Sequence, residues 1–391
     1  MSIQSIINPR FWKGKFSKKS KKHASVETEG SLNETKDLTG YFCGRPFDKL
    51  EIHGNGNMYS CCPGWITKPL GNVKDSAVKD MWNSQASQEF RQSILDGSSK
   101  YCKQKVCPAI QNDSLPTVEE ARKDPLYKDI IEQGLTVIEE KPRIIDFSHD
   151  RSCNLACPSC RIDKILLTEG SDYEAKKAIQ DELVQEYLGE PSDRKFEIKV
   201  TGSGDPFASK IYREFLSELD GADFPNMTVN LQTNGVMFTK KNWDRIHRIH
   251  DNLGFILVSA DAATEETYGP IRKGGDWDLL MTNLKHLGER RAEGKFTHFR
   301  MDFVVQDSNF REMPAYVDLA KEMGVDVVYF MIVRNWGTWT PKQFDEKCVW
   351  KKTHPDFEEF MQVLQDPRLG DSKVDLGNLT HYRKLALAQD Y

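Results

Sequence analysis

Three cysteines stand within eight residues, at Cys153, Cys157 and Cys160, separated by Asn154-Leu155-Ala156 and Pro158-Ser159. Thiolates are soft metal ligands, and three this close converge on one centre only if the backbone folds around it. Pro158 discourages a regular helix through the run. Iron–sulfur clusters are held by cysteines at such spacing. Three thiolates leave one iron of a four-iron cluster open, and an open coordination position marks chemistry rather than scaffolding. A zinc ion completed by His149 is the other reading of these residues. A second group lies upstream, at Cys43, Cys61, Cys62, Cys102 and Cys107. Four of these thiolates suffice for one closed cluster. They also suffice for zinc, although the first pair is eighteen residues apart and zinc knuckles leave only about two to four residues between cysteines. Cys62 and Cys348 have no assigned role, since a lone cysteine usually packs as a small hydrophobe.

The elements that position these groups follow from the patterning. From about residue 142, short β-rich runs at 143–147, 196–201, 227–232, 255–258, 299–305 and 327–333 alternate with amphipathic stretches at 174–188, 210–219, 240–250, 278–291 and 312–323. Six strands interleaved with helices predict βα repetition and a parallel sheet, whose sites form at the C-terminal strand edges. The three-cysteine run falls at the end of the first strand. Thr201-Gly202-Ser203-Gly204-Asp205-Pro206 follows the second strand, Gln232-Thr233-Asn234-Gly235 the third, and Ser259-Ala260-Asp261 the fourth, with Arg272 beyond. Each is also ordinary turn chemistry. Upstream, 49–53 and 58–60 flank a glycine turn and predict a hairpin. A helix is expected at 78–95 and a helical connector at 114–140, with Pro116 near its start.

The three cysteines, spaced by three and then two residues at the end of a first strand, resemble the signature of the radical S-adenosylmethionine (radical SAM) enzymes. The resemblance implies a partial (β/α)6 barrel and a [4Fe–4S] cluster on Cys153, Cys157 and Cys160 whose open iron chelates S-adenosyl-L-methionine (SAM). Electron transfer from that cluster cleaves the sulfonium, and the 5′-deoxyadenosyl radical then takes a substrate hydrogen. Ser159 departs from the aromatic residue that many members place before the last cysteine. Gly204 and Asp205 fall on the family's Gly-Gly-Glu-Pro segment, which contacts the methionyl amine. Asn234 falls on its Thr-Asn-Gly ending, Ser259 on a serine near the ribose, and Arg272 on an arginine near the cofactor carboxylate. Asn309, after the fifth strand, sits where the family often has a polar residue. Cys43, twelve residues, Gly56, four residues and Cys61, together with Cys102 and Cys107, resemble the SPASM or twitch auxiliary module, which implies one auxiliary [4Fe–4S] cluster on Cys43, Cys61, Cys102 and Cys107. Most relatives carry that module after the barrel; here it comes first.

The expected organisation is α/β: a basic, disordered arm at 1–38, a small cysteine-rich α+β module at 39–113, the connector at 114–141, the partial barrel at 142–335 and a polar extension at 336–391. The chain has 391 residues, 54 basic and 59 acidic, for a net charge of -5. That balance argues against a general nucleic-acid binder. Residues 1–25 carry seven Lys or Arg and no acid, so the remainder carries -12 (-5 minus +7). The arm reads either as a surface-seeking segment for anionic lipid or an acidic partner, or as a solvated tail. No apolar run approaches the roughly 20 residues of a membrane span, and no secretory signal is evident; the radical reaction and exposed clusters that the resemblance implies need a reducing compartment, so a cytoplasmic location is expected. The function expected is oxidative modification of a peptide or protein, because an auxiliary cluster can take the electron left on a substrate radical. Its partner would be a low-potential electron donor such as flavodoxin or ferredoxin. Dehydrogenation of a carbohydrate-like metabolite is one alternative, and a non-catalytic iron–sulfur or zinc protein for electron transfer or binding is another. His149, Asp150 and Asp261 lie near strand ends, but none is assigned as a catalytic base.

Overall fold

The computed structural model describes residues 36–111, 113–389 and 391. The basic stretch at 1–25, with its surface-seeking reading, lies outside the described residues, as does nearly all of the 1–38 arm.

The expected hairpin forms from β1 (Lys49–His53) and β2 (Asn57–Tyr59), and a two-residue strand, β3 (Gly71–Asn72), adds to it. Gly56 turns the hairpin at φ +84°, a conformation that suits glycine. The six βα strands follow as β4 (Ile144–Ser148), β5 (Phe196–Val200), β6 (Met227–Thr233), β7 (Leu253–Ser259), β8 (His298–Val305) and β9 (Val327–Ile332). Helices Ser171–Leu188, Lys210–Glu218, Lys240–Arg245, Trp277–Ala292 and Met313–Glu322 occupy the successive connections. A short β10 (Val374–Asp375) completes one ten-stranded sheet among the described residues, in the order β10-β9-β8-β7-β6-β5-β4-β1-β2-β3.

The sheet is mixed. β4 to β9 pair in parallel, and so does β1 with β4, placing Lys49 opposite Ile144 and His53 opposite Ser148. The cysteine module is therefore not a separate sheet but an extension of the first βα strand. Residues after β9 reach the module from the other side: Arg334 donates to the Val106 carbonyl at 3.2 Å and lies 5.8 Å from the Trp65 ring. The two flanks of the sheet thus meet at the C-terminal edge through side-chain contact.

The two faces differ in chemistry. Leu50, Ile145, Phe147, Ile198, Val200, Val229, Ile256, Val258, Met301 and Phe303 are fully buried on one face, beneath the helices. Each contributes about 1.5–3 kcal/mol by leaving water. Alternate positions carry Glu51, Asp146, Lys199, Asn230, Arg300 and Asp302 on the other. Parallel sheets covered on both faces have near-continuous apolar strands; these strands alternate, and Gln232 in the middle of the sheet is exposed. That second face is polar, with Gln232 exposed, Lys199 and Asn230 half-buried, and Glu51, Asp146 and Asp302 buried on it.

Three expected elements differ in detail. The helix expected at 78–95 is two, Val78–Trp82 and Gln85–Leu95. Ser84 breaks it by accepting from Ser87 N and donating to the Leu70 carbonyl at 2.7 Å, so local side-chain bonds replace helical ones. The connector is likewise two short helices, Val118–Ala121 and Pro125–Gln133, restarted by Asp124 and Pro125. The stretch at 240–250 passes from α-helix to a 3-10 segment at His247–Asn252. Arg91 is fully buried in the module and donates to the carbonyls of Pro46 (2.9 Å), Trp82 (2.9 Å) and Thr136 (2.8 Å) and to Asn83 Oδ1 (2.6 Å).

Candidate functional site

The loop after β4 is held before its first cysteine. Asp150 accepts from Ser152 N and Oγ, both at 2.9 Å, and from Ser209 Oγ at 2.6 Å. Cys153 N donates to the Ile165 carbonyl at 2.7 Å, and Ala156 N to the Lys273 carbonyl at 2.9 Å. Cys153 and Cys157 are buried and Cys160 is half-buried. Each sulfur faces one N–H donor: Asn234 Nδ2 at 3.6 Å from Cys153, Arg272 Nη1 at 3.7 Å from Cys157, and Arg161 Nη2 at 3.4 Å from Cys160. Arg161 is anchored by the carbonyls of Arg151 (2.6 Å) and Ser203 (2.8 Å). The sequence did not single it out; its place directly after Cys160 was the available signal.

Burial pushes the Cys153 thiol up to about 11, so a bare thiolate is disfavoured, and a bound cationic metal group is what would draw the proton off. Among the described residues, no three His, Cys, Asp or Glu side chains converge to hold a single metal ion. One zinc at about 2.3 Å from each sulfur would bring them within roughly 4 Å of each other, whereas a cubane takes each cysteine on a different iron. His149, the fourth ligand in the zinc reading, points elsewhere: it packs against the Tyr212 ring at 5.2 Å, and burial pushes its pKa down to about 3. Two buried thiols and one half-buried thiol, each facing a side-chain N–H donor and with no carboxylate or imidazole among them, fit an iron–sulfur cluster with an open position.

Of the residues expected around the cofactor, Gly204, Asp205, Asn234 and Arg272 are brought to this loop. A Cβ on Gly204 would lie 2.6 Å from the Ser152 carbonyl and 2.7 Å from that of Asp150, so the missing side chain admits the cysteine loop's own backbone. Asp205, expected at the methionyl amine, is fully buried and accepts four bonds: from Phe207 N (3.0 Å), Ala208 N (3.1 Å), Thr233 Oγ1 (2.7 Å) and Asn234 N (2.9 Å). A carboxylate has about four acceptor sites, and all are filled. Asp205 is the clasp that joins the loops after β5 and β6 and sets Asn234 beside Cys153. Arg272, expected at the cofactor carboxylate, pairs with Asp261 at 2.7 Å and reaches Cys157. Asp261 holds a φ of +63°, unusual for a residue with a side chain, and also accepts from Val304 N at 2.8 Å. Asn309 fixes that turn by donating to the Asp261 carbonyl at 2.9 Å. Ser259 is half-buried at the end of β7, in register with Asp302.

The upstream cysteines assemble separately. Cys43, Cys61, Cys102 and Cys107 line one small pocket, with Trp65 and Phe90 among its walls. Cys43 precedes the helix Arg45–Asp48 that leads into β1, and Cys61 follows β2. Cys102 is held by a bridge to Ile66, and Lys103 N donates to the Trp65 carbonyl at 2.7 Å. Cys62 does not line the pocket. Burial, reinforced by the neighbouring sulfurs, pushes Cys43 up to about 11 and Cys61 up to about 12. Four sulfurs around one pocket fit a fully ligated cluster.

Residues 147–313 match the radical SAM superfamily, and residues 43–108 match the SPASM iron–sulfur cluster-binding domain. The curated proteins contain no significant match to the sequence. Among solved structures, the chain is similar to TYW1 with a lysine-pyruvate adduct bound, at 15% identity and a TM-score of 0.33, covering 51% of this chain and 65% of that one. It is similar to Streptococcus suis SuiB bound to precursor peptide SuiA, at 12% identity and a TM-score of 0.40, covering 78% and 67%. It is also similar to SuiB from that organism bound to S-adenosylmethionine, at 12% identity and a TM-score of 0.35, covering 64% and 53%. The chain therefore spans about half to two thirds of the length of these solved chains. The two family matches and the two cysteine sites make this chain one of radical SAM superfamily architecture, a radical SAM domain preceded by a SPASM iron–sulfur cluster-binding domain.

Proposed function

We propose that the chain oxidatively modifies a peptide or protein, with Cys153, Cys157 and Cys160 holding a SAM-binding [4Fe–4S] cluster and Cys43, Cys61, Cys102 and Cys107 an auxiliary one. When bound, these groups supply reductive cleavage of SAM to a 5′-deoxyadenosyl radical, hydrogen abstraction from the substrate, and an acceptor for the electron left behind. The chain's own residues do the positioning. Asp150 and Asp205 fix the two loops that meet at the cysteines, and Asn234, Arg161 and Arg272 place one N–H on each sulfur. Ser259, at the C-terminal edge of β7, is the ribose-side contact in this reading. The six βα strands serve as a partial barrel with one polar face.

The observation that carries the peptide reading is the breadth of that face. The pairing register sets Tyr59, Glu51, Asp146, Lys199 and Asn230 in one row across five strands. At about 4.8 Å per strand the row spans roughly 19 Å, the reach of about six extended residues. It runs from the auxiliary module into the radical SAM domain, longer than one sugar ring needs. A low-potential donor such as flavodoxin or ferredoxin would supply electrons in a reducing cytoplasm. Among the described residues, no helix is long and apolar enough to cross a membrane.

Anaerobic reconstitution tests the proposal. Roughly eight irons per chain and 5′-deoxyadenosine release under reduction are expected. Cys157→Ala should remove about half the iron and all cleavage. Cys102→Ala should remove about half the iron and spare cleavage while lowering turnover of a peptide substrate. Bound zinc, or iron without cleavage in the wild type, would refute it.

A further inference from the structure

The polar face of the sheet is charged, and its carboxylates are all engaged. Glu51 is paired with Lys49 at 2.6 Å and His53 at 2.5 Å. Asp146 is bound by Lys49 at 3.0 Å and Ser148 Oγ at 2.9 Å. Glu197 accepts from Asn230 at 3.0 Å, and Asp302 pairs with Arg300 at 2.6 Å. Lys199, fourth in the five-residue row, is left over. Among the described residues it makes no ion pair and no hydrogen bond, although it is half-buried. An ammonium taken out of water without a partner is costly. Burial lowers its pKa and the nearby cations of Lys49 and Arg45 lower it further, outweighing the opposite pull of Asp146 and Glu197. Arg45 and Arg334 also make no ion pair among the described residues, and both stand beside cysteines, Arg45 by Cys43 and Cys61 and Arg334 by Cys62 and Cys107. Lys199 stands near the carboxylates of Asp146 and Glu197, but neither comes within ion-pair distance of it.

We infer that Lys199 is a subsite for a carboxylate of the substrate, bound on the polar face of the sheet between the auxiliary module and the radical SAM domain. This rests on the reading of that face as the substrate surface. The chain from Lys199 to Gly202, where the loop against the cysteines begins, is three residues, or about 10 Å along the strand. A substrate anchored at Lys199 therefore has its carboxylate about 10 Å from the strand edge at which the cysteines lie. Lys199 is flanked in the row by Asp146 and Asn230. Asp146 is already neutralised by Lys49, and the Asn230 amide is occupied by Glu197. The ligand must then bring its own negative charge. An acidic side chain or a terminal carboxylate of a peptide supplies the same group.

Amine-reactive footprinting of the reconstituted full-length protein, read by mass spectrometry, tests this with three small probes at about 10 mM. N-acetylglutamate α-amide carries only a side-chain carboxylate, N-acetylglutamine only a terminal one, and N-acetylglutamine amide neither. Labelling of Lys199 should fall at least threefold with one or both of the acids and stay unchanged with the neutral amide; which acid protects identifies the source of the carboxylate. The saturation-transfer NMR signal of the protecting acid should fall more than tenfold in Lys199→Met. Equal labelling with all three probes, absence of Lys199 labelling, or an undiminished signal in Lys199→Met would overturn the subsite. Release of 5′-deoxyadenosine by the wild type is scored separately. Its absence would count against the proposed enzyme chemistry, while the footprint still decides the subsite.

Discussion

Gly204→Ala puts the cysteine loop under direct steric load. The new Cβ would stand 2.6 Å from the Ser152 carbonyl and 2.7 Å from the Asp150 carbonyl, against a floor of 3.0 Å for real Cβ contacts. The backbone at Ser152 must then retreat by at least 0.4 Å (3.0 minus 2.6) and at Asp150 by at least 0.3 Å (3.0 minus 2.7). Neither atom is a flexible side-chain end. Asp205 N donates to that same Ser152 carbonyl at 2.8 Å, so the shift strains the clasp and moves Cys153. Overpacking of this kind costs about 1–3 kcal/mol. The control is Gly202→Ala, whose Cβ would meet only the Ser148 hydroxyl at 3.0 Å, a group that can rotate away. Urea unfolding and iron analysis of the anaerobically reconstituted proteins measure both. Gly204→Ala should lose about 1–3 kcal/mol and roughly four of its irons, with 5′-deoxyadenosine release falling at least tenfold. Gly202→Ala should stay close to the wild type. A Gly204→Ala protein with full iron and an unchanged midpoint would refute the claim that this glycine exists to admit the loop.

Asp205→Asn replaces two acceptor oxygens with one and turns an amide donor toward existing donors. Losing two charge-assisted bonds at about 1.5–3 kcal/mol each should cost about 3 kcal/mol or more, and a urea midpoint equal to the wild type would contradict the clasp. His149 has a pKa depressed to about 3 from 6.5, so the unfolded state takes the proton first and stability falls as pH drops below 6.5 toward 3. At pH 5 the loss is about 2 kcal/mol, 1.5 units at about 1.36 each; denaturation of wild type against His149→Phe at pH 7 and pH 5 should show that difference, and parallel pH dependence would count against it. Arg91→Leu strips the donor from three buried carbonyls and should destabilise by at least about 3 kcal/mol, with loss of the auxiliary irons before the others. Arg161→Gln removes a cation from the Cys160 sulfur, and since charge and hydrogen bonds at the sulfurs tune cluster potential, spectroelectrochemistry should find the first cluster's potential lowered; an unchanged potential would mean Arg161 only braces the loop.

Much of the βα framework was legible because each strand is short, alternating and bounded by turn residues. Phe196-Glu197-Ile198-Lys199-Val200 declares both a strand and its two faces. The same alternation carried a signal that was easy to pass over, since a parallel sheet with one polar face is one that helices do not cover twice. The two cysteine groups were legible because ligand spacing is local. The pairing of β1 with β4 was not, because His53 and Ser148 are 95 residues apart in sequence (148 minus 53) and nothing in either segment names the other. Asp205 shows a different limit: Gly-Asp-Pro marks a turn, but only the folded chain shows that Thr233 and Asn234 arrive to fill the carboxylate. The break at Ser84 was readable in type, as a serine able to cap, but its partner at Leu70 is set by tertiary packing.

The parallel seam between β1 and β4 makes the two iron-binding units one assembly problem. Residues 49–53 leave the ribosome about ninety residues ahead of 144–148, so β1 has only its hairpin partner until the radical SAM domain begins to emerge. A lone hairpin is marginal in water. The auxiliary module therefore waits on its neighbour for its last set of backbone bonds. Cutting the chain between the two units leaves each with a raw strand edge, the kind that invites aggregation. Maturation is coupled accordingly: whichever cysteine group is loaded first braces the sheet on which the second is built.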